Sequence, residues 1–251
     1  YSINIFCKCL CVSYNKMLER LSEAFKIQRQ FTENAAHELR TPLSLMQIQL
    51  DLYNSGKHPG NDADTIQTIK MVTEQNERLS KIVKTLLDMS ELQTVGRDGT
   101  IIVNALIDEV LADLEPLAQE KNIKLIGKCK DVNMVGSDIL IYRLVYNLVE
   151  NAIKYNHSGG QVIVEAYQKE KQVYLSVEDT GSGIPEELKE RVFEPFFRVD
   201  KSRSRELGGV GLGLALVNEI VRVHDGSIAI RPNPSGGTII EVQFAVNRTT
   251  A

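Results

Sequence analysis

The sequence predicts an α+β, multidomain protein: a helical hairpin that pairs with a second copy into a dimeric four-helix bundle, followed by an α/β sandwich. Three observations carry this expectation. Apolar residues recur at helical spacing along two long stretches in the first third of the chain. A break rich in glycine follows at Val95-Gly96-Arg97-Asp98-Gly99. Beyond it the pattern changes to short strands interleaved with helices.

Composition bounds the rest. With 251 residues, of which 43% are hydrophobic, the chain can bury a sizeable core in one or two domains. Its net charge of -4 gives no general attraction to nucleic acid or anionic lipid. No uncharged apolar run approaches the ~18 residues of a membrane span. The chain begins at Tyr1 rather than Met, so the expectation is a cytoplasmic fragment whose missing N-terminal region carries any membrane anchor. Cys7, Cys9 and Cys11 alternate and Cys129 stands alone, which does not resemble a disulfide framework. The cluster lacks a nearby fourth ligand for structural zinc, and it reads as the juxtamembrane end of a truncated segment in a reducing compartment.

The first helical stretch runs from about Tyr14 to Tyr53 through Met17, Leu21, Phe25, Phe31, Leu39, Leu45 and Leu52. Ser55–Asn61 is a turn by composition. The second stretch places Ile66, Ile69, Val72, Asn76, Leu79, Val83, Leu86 and Met89 at near-heptad spacing. Two long helices joined by a short loop form an antiparallel hairpin. One hairpin alone leaves its apolar seam uncovered. A homodimer covers it, and docking on the chain's own C-terminal half is the alternative. Within the first helix lies Phe31-Thr-Glu-Asn-Ala-Ala-His37-Glu38-Leu39-Arg40-Thr41-Pro42. A neutral imidazole is a nucleophile near pH 7, and Glu38 beside it can take its second proton. Thr41 stands one turn later on the same face, and Pro42 bends or loosens the helix there. An isolated His-Glu pair on an amphipathic helix would be an ordinary surface feature. Glycine-rich motifs more than a hundred positions later reverse that weighting.

In the second half, strands are expected around Ile101–Val103, Ile123–Ile126, Val132–Val135, Gln161–Tyr167, Gln172–Glu178, Ser227–Ile230 and Thr238–Val246. Helices are expected over Asn104–Gln119, Asp138–Tyr155 and Gly211–His224. Together they make one mixed sheet with helices on one face. Four motifs sit on this frame. In Asn147-Leu-Val-Glu150-Asn151-Ala-Ile-Lys154-Tyr155 the two amides are four apart and share a helix face. Amide and phosphate oxygens together suit a hard ion such as Mg²⁺. Lys154 offers a point charge for phosphate and Tyr155 an aromatic face for a base; Glu150 is expected to point elsewhere. Asp179 closes a strand in Glu178-Asp179-Thr180-Gly181-Ser182-Gly183. There its carboxylate can accept a hydrogen bond from an exocyclic amine, and Gly181 and Gly183 let backbone approach a flat ligand. Phe193-Glu194-Pro195-Phe196-Phe197-Arg198, leading to Lys201, Arg203 and Arg205, suits an aromatic-anchored basic lid. Gly208-Gly209-Val210-Gly211-Leu212-Gly213 opens a helix, where unpaired N–H groups attract an anion. Neither a dinucleotide fingerprint nor a Gly-Lys-Ser/Thr phosphate loop is present.

The order of these motifs, histidine box first and G-x-G-L-G last, resembles the bacterial two-component sensor histidine kinases from about Tyr14 onward. The resemblance implies residues 1–30 as the end of a HAMP-like signal-relay segment and linker, 31–95 as a dimerisation and histidine phosphotransfer domain, and 100–248 as a catalytic ATP-binding domain of the GHKL type. It implies His37 as phospho-acceptor, Glu38 as its acid/base partner, and Thr41 as the residue that positions water for phosphatase action. Asn151, with Asn147 beside it, resembles the Mg²⁺ ligand, Lys154 and Arg198 resemble phosphate contacts, and Asp179 the adenine reader. Gly209, Gly211 and Gly213, with Leu212 between the last two, resemble the phosphate cradle. ATP and Mg²⁺ are the implied cofactors. The implied partners are a second copy of the chain and a response regulator receiver domain, with no nucleic acid, in the cytoplasmic portion of a membrane sensor. Alternatives are a GHKL-type nucleotide-gated ATPase, or a dimeric scaffold without histidine phosphorylation. The ATPases of this superfamily carry a carboxylate where Asn147 stands, and an amide cannot serve as a general base.

Overall fold

The computed structural model describes the backbone of residues 2–54, 62–92, 94–199 and 209–246, with side chains from residue 14 onward in those ranges except 24 and 62–64. The expected turn at Ser55–Asn61, Gly208, the basic residues Lys201, Arg203 and Arg205, and the side chains of Cys7, Cys9 and Cys11 lie outside that description. The chain divides into two compact units, Tyr1–Ser80 and Lys81–Ala251.

The first unit holds helix α1, Ser2–Asn54, and most of helix α2, Asp62–Glu91. α1 starts well before the expected Tyr14, because no glycine or proline interrupts the chain between Ser2 and Thr41. It also continues through Pro42. That residue cannot donate to the Glu38 carbonyl, while the Thr41 hydroxyl donates to the His37 carbonyl at 3.1 Å, one turn back. The helices run antiparallel: Tyr53 and Thr65 hydroxyls meet at 3.4 Å near the turn, and Arg78 reaches Glu38 at 3.0 Å further down. Leu45, Ile48, Leu52, Ile66 and Ile69 remain exposed, so one hairpin does not cover its own apolar seam.

The second unit begins with the last turns of α2. Met89, Leu92 and Val95 join its core, so the structural division falls ahead of the compositional break. There follow β1 (Gly99–Ile102), α3 (Val103–Glu120), β2 (Lys124–Cys129), β3 (Asn133–Gly136), α4 (Asp138–Lys154), β4 (Gln161–Lys169) and β5 (Gln172–Asp179). Two short 3₁₀ turns, Glu186–Leu188 and Arg191–Phe193, lead on to α5 (Gly213–Val223), β6 (Ser227–Pro232) and β7 (Thr238–Ala245).

The single sheet expected from sequence is in fact two. β2, β4, β5, β7 and β6 form a five-stranded sheet in that order, parallel only between β2 and β4. β1 and β3 pair separately as a two-stranded antiparallel ribbon with Ile101 opposite Met134. The ribbon is tied to both layers: the Val132 carbonyl accepts from Val103 N–H where α3 begins, Val135 N–H donates to the Val246 carbonyl just beyond the last strand at 3.3 Å, and Ile101, Val132 and Met134 are buried in the common core. Alternation decides which face of the large sheet is covered. Val164, Val177 and Ile240 lie side by side across three strands, as do Ala166, Leu175 and Val242, all packed with α3, α4 and α5. Glu165, Tyr167, Tyr174 and Glu241 take the other face, where the two tyrosine rings stack at 5.0 Å.

α4 is well specified at its ends. Ser137 caps it by accepting from Leu140 N–H, Asp138 sits in its first turn and Lys154 in its last, matching the helix dipole. Its start is joined to the end of α5 by a buried histidine. His224 receives the Ser137 N–H on Nε2 at 3.2 Å and faces the Ile220 carbonyl through Nδ1 at 2.9 Å, which sets the neutral Nδ1–H tautomer. Replacing His224 with leucine strands the buried Ser137 N–H. The expected loss is about 1–3 kcal/mol, read as a lower urea midpoint at unchanged m-value for the sheet-containing unit.

Candidate functional site

A cavity of about 370 Å³ opens in the second unit, between α4, the end of β5, the 3₁₀ segment and the glycine stretch before α5. Asp179 marks one wall. Burial raises its carboxyl above the ordinary range, against the backbone N–H groups of Gly181 and Thr238 that bond to it. The Gly181 donor is 2.8 Å from Oδ1. Gly181 itself is not on the cavity wall; it supports Asp179, and a Cβ there would lie 2.5 Å from the Tyr155 carbonyl. Gly183, which does line the cavity, has φ +72°. Asn233 and Gly237, which the sequence patterns did not single out, complete the support. Asn233 donates to the Asp179 carbonyl at 2.7 Å, and a Cβ on Gly237 would come within 2.3 Å of the same oxygen. The Gly236-Gly237 pair between two strands was the available signal.

The glycine stretch and the aromatic segment lock together. Gly211 has φ +80°, and a Cβ there would stand 2.6 Å from the Phe197 carbonyl oxygen and 2.8 Å from the carbonyl carbon of Phe196. Phe196 N–H donates to the Gly211 carbonyl at 2.8 Å, and Phe196 itself holds φ +66°, a conformation a bulky residue adopts only when its surroundings demand it. Arg198 Nη1 donates to the Gly209 carbonyl at 3.2 Å, and the Arg191 guanidinium lies 4.4 Å from the Phe197 ring centre. Gly209, Gly211, Leu212, Gly213 and Arg198 all line the cavity. The helix beyond them starts at Gly213, two residues later than expected, which leaves Gly209 and Gly211 in the approach loop.

α4 supplies the third side. Asn147 and Asn151 face the cavity together, and a Cβ on Gly213 would lie 2.9 Å from Asn147 Oδ1 and 3.6 Å from Asn151 Nδ2. Asn147 Nδ2 donates to the Arg143 carbonyl at 2.7 Å, so its oxygen is the end turned toward Gly213. Lys154 and Tyr155 line the same wall. Glu150, expected to point away, lines it too, and its carboxylate is paired with Lys154 at 2.8 Å and with Lys81 at 2.8 Å. The helical period explains the correction: Glu150 and Lys154 are i, i+4 and share one face. Burial pushes the Lys154 ammonium down to about 8, Glu150 partly restoring it and Lys81 opposing. The Glu150 carboxyl is held below its ordinary range because Lys154 and Lys81 together outweigh the effect of burial. Lys81 and Thr85, from the last part of α2, are cavity residues that no motif predicted.

His37, Glu38 and Thr41 belong to the first unit. His37 is exposed, while Glu38 is largely covered and ion-paired with Arg78 of α2. Arg78 lies forty residues from Glu38 in the chain and carried no sequence signal.

Comparison with known proteins accounts for both halves. Residues 27–95 match the His Kinase A (phospho-acceptor) domain. Residues 136–248 match the histidine kinase-, DNA gyrase B- and HSP90-like ATPase. The chain belongs to the two-component sensor histidine kinases. This histidine kinase is 35% identical over 243 residues to the sensor protein CutS of Streptomyces coelicolor, covering 94% of the present chain and 57% of CutS. It is 33% identical over 244 residues to the signal transduction histidine-protein kinase ArlS of Staphylococcus aureus, covering 94% and 52%. The chain thus spans just over half the length of the curated relatives it matches. Among solved structures, the histidine kinase ThkA in complex with the response regulator protein TrrA aligns with a TM-score of 0.71 at 26% identity, over 89% of this chain and 63% of that one.

The cavity depends on backbone contacts that leave no room for side chains. Gly211→Ala is expected to separate the aromatic segment from the glycine stretch and weaken ATP affinity by roughly tenfold or more, a strained non-glycine φ costing on the order of 1–3 kcal/mol. Isothermal titration should register that loss while circular dichroism remains that of the folded chain.

Proposed function

We propose that the chain is the kinase portion of a sensor that autophosphorylates His37 from ATP and passes the phosphoryl group to an aspartate of a response regulator receiver domain. The observation that carries this is the division of labour between the two units. One holds a nucleophilic imidazole with a carboxylate beside it. The other holds a cavity with a half-buried acceptor, Asp179, on one wall and cations and backbone donors on another. Asp179 accepts a hydrogen bond from the adenine amine; Lys154, Arg198 and the N–H groups of Gly209–Gly213 face the phosphates. The ThkA–TrrA complex supports a receiver domain as partner.

The cavity residues fit a magnesium ion. Among the described residues no cluster of three or more His, Cys, Asp or Glu could hold a metal. A cation here would therefore rest on the Asn147 and Asn151 amide oxygens together with nucleotide phosphates, a hard, all-oxygen set. Bound Mg²⁺ would offset phosphate charge.

In the reaction an imidazole nitrogen of His37 bonds to the γ-phosphorus as the bond to the bridging oxygen breaks. ADP leaves with the electron pair, and the imidazole proton passes to Glu38. Arg78 fixes the rotamer of that carboxylate. Hydrolysis competes poorly. The carboxylates lining the cavity are Glu150, tied to two lysines, and Asp179, bonded to Gly181, and Asn147 cannot act as a base. Thr41, whose hydroxyl sits one turn from His37, orients water in the phosphatase reaction, in which water attacks the regulator's aspartyl phosphate and releases inorganic phosphate.

Dimerisation follows from the uncovered seam of the hairpin, the four-helix bundle being the arrangement that buries it. Upstream of the matched domain, Met17, Leu21 and Phe25 are also exposed, which suits a HAMP-like relay helix that continues the pairing. Among the described residues no helix is long and apolar enough to cross a membrane. In a membrane sensor this part faces the cytoplasm, where ATP and the receiver domain are found.

Incubation with γ-labelled ATP should label the chain in a form lost in acid and retained in base, the behaviour of a phosphoramidate. His37→Gln should remove the label with ATP affinity near normal, and Glu38→Ala should slow labelling by roughly a hundredfold. Acid-stable label, or label surviving in His37→Gln, contradicts the assignment. Thr41→Ala should label normally yet dephosphorylate its regulator poorly.

Light scattering should give twice the chain mass, and Ile69→Asp, on the exposed seam, should reduce it toward the monomer without altering ATP binding. A monomeric parent chain would exclude the bundle.

A further inference from the structure

Lys81 and Glu150 lie on the cavity wall, and neither is needed by the chemistry assigned above. Lys81 Nζ and Lys154 Nζ each approach the same atom, Glu150 Oε1, at 2.8 Å. The three side chains differ in cover: Glu150 is 12% exposed, Lys154 15% and Lys81 49%. The contact belongs to a longer alignment. About two turns further along each helix, Asp88 of α2 pairs with Arg143 of α4 at 2.9 Å, so the tail of α2 runs antiparallel along α4. Two ammoniums against one carboxylate leave a surplus positive charge on the cavity wall.

A phosphate entering the cavity competes with Glu150 for Lys154. If Lys154 leaves, the carboxylate is covered and charged, a costly state without a counter-ion. Lys81 is already in place on the same oxygen. We propose that Lys81 is a positioning residue for phosphate binding: it keeps Glu150 paired, and so frees Lys154 to turn from the carboxylate to the nucleotide. This rests on the assignment of the cavity as the nucleotide site. By linkage, a phosphorylated ligand tightens the Lys81–Glu150 pair by the factor that Lys81 adds to its affinity, which ties the tail of α2 to the state of the site.

The test is a calorimetric titration of the full chain with ATP, ADP and adenosine, magnesium present. Lys81→Met should weaken ATP and ADP by about fivefold, the upper end for a half-exposed ion pair, and leave adenosine unchanged. Lys81→Arg should restore most of the loss. In a Glu150→Gln background, where no carboxylate needs a counter-ion, Lys81→Met should have little further effect, the signature of coupled residues. Asp88→Asn, which breaks the second ion pair away from the cavity, should leave all three ligands unaffected. Equal weakening of all three ligands by Lys81→Met, no weakening, or a loss that persists undiminished in Glu150→Gln overturns the proposal. Failure of the parent chain to bind ATP at all overturns instead the nucleotide assignment on which it rests.

Discussion

Helix α4 has to satisfy two environments at once, and the rest of the second unit is arranged around that constraint. Leu140, Ile141, Leu144, Val145, Leu148, Val149 and Ile153 are buried in the core, while Asn147, Glu150, Asn151 and Lys154 line the cavity. At 3.6 residues per turn, a helix packed on one side must offer a second stripe at a fixed angle. The core contacts therefore set the orientation of the polar stripe to within the tolerance of close packing. The Ser137 cap and the His224 bridge fix where the helix begins, and so the depth at which its amides stand along the cavity.

Around α4 the cavity is built mainly by backbone approaching backbone. Gly237 lies against Asp179, Gly181 against Tyr155 and Gly211 against Phe197, each at a distance that excludes a Cβ. Such contacts place N–H and carbonyl groups where side chains would otherwise stand, and they have little freedom to reorganise. A preorganised set of donors suits a polyanion better than flexible lysines alone. Asp179 sits deep enough that burial raises its carboxyl while two N–H donors pull the other way, so the acceptor is oriented before any ligand arrives.

The nucleophile is built on different principles. His37 is exposed on a long helix, and its carboxylate neighbour is held by an arginine of the facing helix. An exposed imidazole can meet more than one partner, which the proposed roles of accepting and then donating a phosphoryl group require. The cavity proposed for nucleotide is lined on several sides, and the histidine proposed to carry phosphate is open to solvent. Separating them onto two units lets each satisfy its own solvation requirement.

Much of this was legible in the sequence. Period and punctuation located nearly every strand and helix, because amphipathic stripes and glycine breaks are local properties of the chain. The motifs pointed to Asn147, Asn151, Lys154, Asp179, Arg198, Gly209, Gly211 and Gly213 as one site, and all of these line one cavity. What local pattern could not determine were pairings between residues distant in the chain. Nothing in the sequence assigned β1 and β3 to a ribbon of their own, gave Glu38 to Arg78, or brought Lys81 to Glu150. The sequence determined which segments form helices and strands and which polar and glycine residues gather at one cavity, since both are written in spacing and side-chain type. Only the tertiary structure decided the partners of the charged groups, because an ion pair is specified by where two backbones are packed together and not by the residues between them.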